Sequence, residues 1–188
     1  MTAMTADESG WEDAKKIAFG KRLDGAMIQS LLRAANAGGD NAESSVYALS
    51  FGLLARRHRR GVIIALIEIL EDRRLPTAVR AQAPEGIGAQ MGAKQSALRR
   101  RAAYALIRQL RDPAPEVRFW SAFGLALLGA KEARQPLREL RTDTTLVPGW
   151  WSVGSEASDA LDSIEGIVIG LARRPSGPKM STTRHPAR

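Results

Sequence analysis

The chain contains no cysteine and only two histidines, His58 and His185. The first absence removes a disulfide framework, a thiolate zinc site and a cysteine nucleophile together. The second leaves little of the usual metal-ligand and acid–base chemistry, because His58 stands among arginines with no carboxylate beside it in sequence. No apolar run approaches the roughly 20 residues needed to span a bilayer. The longest, Val62 to Ile67, stops at Glu68, with Glu71 and Asp72 soon after. The segment Met1 to Glu8 is acidic and lacks an apolar core, so it does not read as a secretory signal. The expected location is the cytoplasm, away from any membrane. A glycine-rich phosphate loop is missing too: Gly86 and Gly88 fall inside a helical pattern, not between a strand and a helix.

What is present is basic and periodic. The 188 residues carry a formal charge of +8, of which residues 173–188 hold +5 without a single acid. A basic tail on a mildly basic body is a weaker sign of nucleic-acid binding than a uniformly basic fold.

The body repeats itself. Ala65-Leu66-Ile67-Glu68-Ile69-Leu70-Glu71-Asp72 returns 40 residues later as Ala105-Leu106-Ile107-Arg108-Gln109-Leu110-Arg111-Asp112, and more loosely as Pro136-Leu137-Arg138-Glu139-Leu140-Arg141. Leu66/Leu70, Leu106/Leu110 and Leu137/Leu140 fall at helical spacing, which predicts the second helix of a helical hairpin in each copy. A second series, Val46, Val79, Val117 and Val153, recurs at intervals of 33, 38 and 36 residues. Each valine is followed by a small residue (Ser50, Ala83, Ala122, Ala157) and then by Leu54, Ile87, Leu125 or Leu161. That spacing places valine, small residue and leucine on one helix face, and the small residue permits close approach of a neighbour. Asp72 and Asp112 end helices, Pro76, Pro113 and Pro115 prevent their continuation, and Gly129 is placed to close another.

Asp112-Pro113 followed by Pro115-Glu116-Val117-Arg118, then Ala122, Leu125 and Gly129, resembles a HEAT repeat of the short type found in bilin-lyase-like proteins. Val79-Arg80 opens a poorer copy, and Val153 to Leu161 a degenerate one without the arginine. The resemblance spans about residues 40–166. It implies an all-α fold, a right-handed α-solenoid of about three to four HEAT-like hairpins, in which a lone hairpin cannot bury its apolar face and must stack on its neighbours. The alternative is an irregular helical bundle.

The expected organisation is an N-terminal lead (1–22, with 1–9 disordered and a short helix from Trp11 to Phe19), a repeat array (23–172) and a disordered basic tail (173–188). Within the array, a helix from Asp24 to Ala37 caps the first repeat. Pairs follow at 42–57 with 61–73, 77–91 with 95–111, and 115–129 with 131–141, and a final helix occupies 152–170. Residues 77–92 break local rules, with Pro84, Gly86, Gly88 and Gly92 inside one helix. The expectation is a kink at Pro84, with a hinge as the other reading.

Aligning the copies brings out charge. Glu68 and Glu71 occupy the places taken by Arg108 and Arg111 in the next copy and by Arg138 and Arg141 in the third. Lys131 and Arg134 extend the last row. In HEAT-like arrays the outer face of the second helices is the concave one, so an acidic row would lie beside two basic rows. Arg56, Arg57, Arg59 and Arg60, around His58, form another cluster at an expected hairpin turn, and Arg99-Arg100-Arg101 extends it. The ordinary alternatives are a solvated helix face and arginines that complement a helix C-terminus. Phe119, Trp120 and Phe123 share one helix, and Trp150-Trp151 follow Pro148-Gly149, where they are expected to fill the gap before the last helix.

These features predict a non-catalytic adaptor or scaffold that holds a protein with an acidic surface. The residues in contact would be Arg56, Arg57, Arg59, Arg60, Arg101, Arg108, Arg111, Arg134, Arg138 and Arg141. Nucleic-acid binding through the same arginines is the second reading, and an enzyme of the HEAT-like lyase or glycosylase type the third. No catalytic residue, metal or cofactor is expected. The paired histidine and glutamate repeats of HEAT-like hydroxylases are missing, and Trp120 with Asp112 only faintly echoes the HEAT-like glycosylases.

Overall fold

The structure, a computed structural model, describes residues 6–20, 22–91 and 96–167. The disorder expected for residues 1–5 and for the basic tail concerns segments outside the described residues. The described helices are α1 (Ala6–Gly20), α2 (Gly25–Ala37), α3 (Ala42–Phe51), α4 (Arg56–Glu71), α5 (Thr77–Gln90), α6 (Ala97–Gln109), α7 (Pro115–Leu128), α8 (Arg134–Leu140) and α9 (Val153–Glu165). A 3-10 turn, Lys131–Ala133, leads into α8. The helix of the N-terminal lead starts at Ala6, inside the stretch expected to be disordered.

Local chemistry sets the boundaries. Asp24 accepts the Met27 N–H at 2.8 Å, and Ser96 and Ser152 accept those of Arg99 and Ser155, so three helix starts are capped by the short polar side chains that favour this position. Gly129 (φ 59°) and Gly166 (φ 76°) take up the left-handed conformation that ends α7 and α9. The second of these stops α9 at Glu165, short of the expected residue 170.

One all-α expectation needs amendment. Arg22–Leu23 (β1) and Leu53–Leu54 (β2) pair as two short parallel strands. Gly52 is extended and seated against Leu23, where a Cβ would come within 2.6 Å of Leu23 Cδ1. The helix expected to run to residue 57 therefore ends at Phe51.

α1, α3, α5, α7 and α9 lie side by side in that order. Behind them α2 packs on α3, α4 on α5, α6 on α7 and α8 on α9. The expected hairpins are thus out of phase by one helix: α4 pairs closely with α5 rather than α3, and α6 with α7 rather than α5. Tight turns after Asp72 and Asp112 fold these helices back on one another, whereas the extended 52–55 link carries the chain away from α3.

The repeat anchors form the core. Val46, Val79, Val117 and Val153 are buried, as are all four small residues and Leu54, Ile87, Leu125 and Leu161. The helices of the first layer approach more closely than those behind it. Their contacts are lined by residues without bulk: Gly86 lies against Ser50, and a Cβ on Gly124 would come within 2.6 Å of the Pro84 carbonyl oxygen. Added to Gly88, it would come within 2.7 Å of Leu127 Cβ. α5 runs unbroken through Pro84, and its glycines serve this close contact.

Candidate partner-binding surface

Short turns carry the polar framework on which the surface is hung. Asp72, Asp112 and Asp143 each close a turn by accepting the backbone N–H two residues on, from Arg74, Ala114 and Thr145. Two of the anchor valines, Val79 and Val117, are followed by an arginine that reaches for these turns. Arg80 on α5 donates two hydrogen bonds to the buried Asp112 carboxylate, at 2.8 and 3.1 Å. Arg118 on α7 donates to Asp143 Oδ2 at 2.9 Å and to the carbonyls of Asp112 and Pro113. The first and last copies lack such an arginine: Tyr47 follows Val46, with Asp72 held instead by Arg74 within its own turn, and Gly154 follows Val153.

The carboxyls respond to these contacts. Hydrogen bonds from Arg74 pull Asp72 down to about 2. For Asp112, burial works upward, but the hydrogen bonds from Arg80 and the Ala114 N–H, with the Arg80 charge, hold it below the usual range. Asp143 is lowered in the same way, burial being outweighed by Thr145 and Arg118.

Against this framework the candidate arginines fall into two groups. Those along the rear helices already have partners, a carboxylate for all but Arg141. Arg101 Nη2 lies 3.9 Å from Glu68 Oε1, and Arg108 pairs with Glu71. Arg111 Nη2 lies 3.7 Å from Glu139 Oε2. Arg138 and Arg134 lie 2.8 and 3.9 Å from Glu165 Oε1 on α9, and Arg141 donates to Ser158 Oγ at 3.2 Å. The acidic row does adjoin a basic one, but with Arg101 and Arg108 opposite Glu68 and Glu71, a shift from the alignment-based register.

An open groove of about 770 Å³ runs between α4, α6 and α8, lined by Glu71, Arg73, Arg108, Arg111 and Glu139 among others. Arg73, exposed and absent from the sequence-based set, belongs to it. Its position beside Asp72 in the turn gave no hint of this.

The second group is Arg56, Arg57, Arg59 and Arg60. All four are exposed, and none makes an ion pair among the described residues; the carboxylates of the same helix, Glu68 and Glu71, lie beside Arg101 and Arg108 instead. Arg57 Nε donates to His58 Nε2 at 3.1 Å. The cluster lies neither in the hairpin turn expected from sequence nor at a helix C-terminus, the alternative; it opens α4 and so sits at a helix N-terminus. There the helix dipole is positive and repels cations.

Arg99, adjacent to Arg101, points inward. It is buried and donates to the carbonyl oxygens of Leu128 and Gly129, at the end of α7. Tyr104 lies on the outer side of α6 between Arg101 and Arg108 and is 56% exposed.

The other face of the molecule has different chemistry. α5 is flanked by α3 and α7 and backed by α4, and α7 is flanked by α5 and α9 and backed by α6. One stripe of each helix is left open: Tyr47 and Phe51 on α3, Gln82 and Glu85 on α5, and Glu116, Trp120, Phe123 and Leu127 on α7. α3, α5, α7 and α9 carry seven carboxylates against two arginines, Arg80 and Arg118, both bound to aspartates. In α2, α4, α6 and α8 the balance is eleven arginines against three glutamates. Burial pushes the Glu85 carboxyl up, and Tyr47 is raised by burial and by the negative charge of Glu85.

Phe119 is buried and meets Trp120, Trp150 and Trp151 at ring-centroid distances of 5.3, 5.9 and 5.7 Å. The tryptophan pair packs between α7 and α9 as expected, with Trp151 Nε1 donating to Glu156 at 3.0 Å.

No helix among the described residues is long and apolar enough to cross a membrane. No family model matches the sequence, and no curated protein matches it significantly. The fold and the charged surfaces therefore carry the functional argument.

Proposed function

We propose that the chain is a non-catalytic binding module, an α-solenoid of HEAT-like hairpins, that holds an acidic segment of a protein partner at the start of α4. The observation that carries this reading is the Arg56, Arg57, Arg59 and Arg60 cluster: four exposed arginines, unpaired among the described residues, at the positive end of a helix. Like charges gathered there repel one another and the helix dipole. An external anion relieves both penalties, and guanidinium groups suit carboxylate forks. Arg101, Arg108, Arg111, Arg134, Arg138 and Arg141 form a weaker fringe, because an arriving carboxylate must compete with the glutamates or serine already beside them.

The solenoid reading rests on the two rows of helices. The row α3, α5, α7, α9 packs more tightly than the row behind. Where two such layers run side by side, as α3 to α9 do with α2 to α8, unequal spacing curves them toward the tighter one. That makes the valine-anchored helices the inner side, the reverse of the assignment drawn from repeat alignment.

Nucleic-acid binding is a second reading, favoured by one observation: Tyr104 stands exposed between Arg101 and Arg108, an arrangement suited to base stacking beside phosphate contacts. Charge reversal at Arg57 and Arg60 tests the main reading. Anisotropy with a labelled glutamate-rich peptide is expected to show binding that weakens at least roughly tenfold in the double variant. Unchanged affinity, with helicity intact, sinks it. Tight binding of mixed-sequence DNA or RNA that falls about 10³-fold between 50 and 200 mM salt would replace it with the second reading.

A further inference from the structure

We infer that the open stripes of α3, α5 and α7 form a second docking surface, one that takes a cationic polypeptide segment. The surface is the face of α3, α5 and α7 turned away from their main helix contacts, and on it aromatic rings and carboxylates alternate. Each helix has neighbours on both sides and another behind, so the stripes of successive helices face the same way. Gly86 seats α5 against Ser50 of α3, and Pro84 seats it against Gly124 of α7. Glu85, between those two contacts in the chain, therefore stands between Tyr47 and Phe51 on one side and Trp120 and Phe123 on the other.

Charge complementarity identifies the occupant. The stripes present Glu85 and Glu116, neither of which makes an ion pair or hydrogen bond among the described residues, and the cation that acts on Tyr47, Lys15 of α1, is already paired with Glu12. The two arginines of these helices are committed to Asp112 and Asp143. The rings are only half-buried: Tyr47 packs on Trp11 and Phe51, and Trp120 on Phe123 and Trp150, leaving part of each surface open. An open ring face attracts a guanidinium or ammonium group, and a nearby carboxylate completes its coordination. An acidic segment would meet repulsion here, so this surface and the arginine cluster of α4 select opposite partners. The inference does not depend on that cluster.

The test uses the full chain and a short labelled arginine-rich peptide without acidic residues, with a glutamate-substituted version as its counterpart. The arginine-rich peptide is expected to bind, shift tryptophan emission, and lose roughly tenfold in affinity in the E85Q/E116Q variant. An E68Q/E71Q variant, altered only on the rear helices, should bind it as the parent does. The glutamate-rich peptide should leave tryptophan emission unchanged. Absence of binding at low salt overturns the inference, as does equal affinity for parent and E85Q/E116Q, or loss of binding in E68Q/E71Q instead. If the glutamate-rich peptide fails to bind while the arginine-rich one behaves as described, only the α4 reading falls.

Discussion

Replacing Arg80 with methionine leaves the Asp112 carboxylate buried without its cation. In the native protein the two side chains are 6% and 0% exposed and share two hydrogen bonds. Breaking such a pair from one side costs roughly 3–5 kcal/mol, because the surviving charge is neither solvated nor neutralised. For a chain of this length each kcal/mol moves the melting temperature by roughly 2–4 °C, so a loss of roughly 6–20 °C is expected.

The pH dependence separates charge from packing. The native Asp112 carboxyl is lowered, so its contribution is present above the unfolded carboxylate value and is lost as pH falls through the folded one. In R80M burial dominates and the folded value rises. The charged form is then penalised at neutral pH, and the penalty fades on protonation. Urea unfolding followed by circular dichroism should show the largest deficit near pH 7 and a clearly smaller one near pH 4. A neutral-pH cost below about 1 kcal/mol, or one independent of pH, refutes the argument that this buried pair clamps the fold.

Glycine substitutions should act with opposite signs. Gly124→Ala drives a Cβ toward the Pro84 carbonyl oxygen and should cost roughly 1–3 kcal/mol in urea unfolding. Gly61→Ala, exposed within α4 with nothing near the added carbon, should gain roughly 0.5–1 kcal/mol. Glu85→Gln should raise the melting temperature at neutral pH, because burial lifts the folded carboxyl above its unfolded value and stability falls as pH rises through it. The gain should vanish in acid, where the carboxyl is protonated; an equal gain at both pH values would point to packing.

The core was legible because burial follows helical period. The valine, small-residue and leucine series named residues that are all buried. It could not reveal which neighbour each helix meets, since a face pattern is the same whether its partner precedes or follows it in the chain. That ambiguity put the hairpins one helix out of phase and the basic cluster in a turn instead of at the start of α4. The pairing of Arg101 with Glu68 depends on how α4 and α6 slide past one another, which no alignment of copies encodes. Arg99 could have been separated from Arg101, because it shares a helix face with Ala102, Ala103 and Leu106. The two-residue strands carry too few residues to register as a period.

At the first copy, tyrosine occupies the place where the next two copies carry the reaching arginine, and Asp72 binds locally. Between α3 and α5 the side-chain link is the neutral amide of Gln90, which donates to the carbonyls of Ser50 and Gly52, where α5 and the turn before α7 are bolted by Arg80 and Asp112. A seam held by a neutral amide is expected to open before one held by the Arg80–Asp112 pair, which makes the amino-terminal end the natural place for the packed helices to separate. It also makes that end the most permissive junction for adding or removing units without disturbing the bolted remainder.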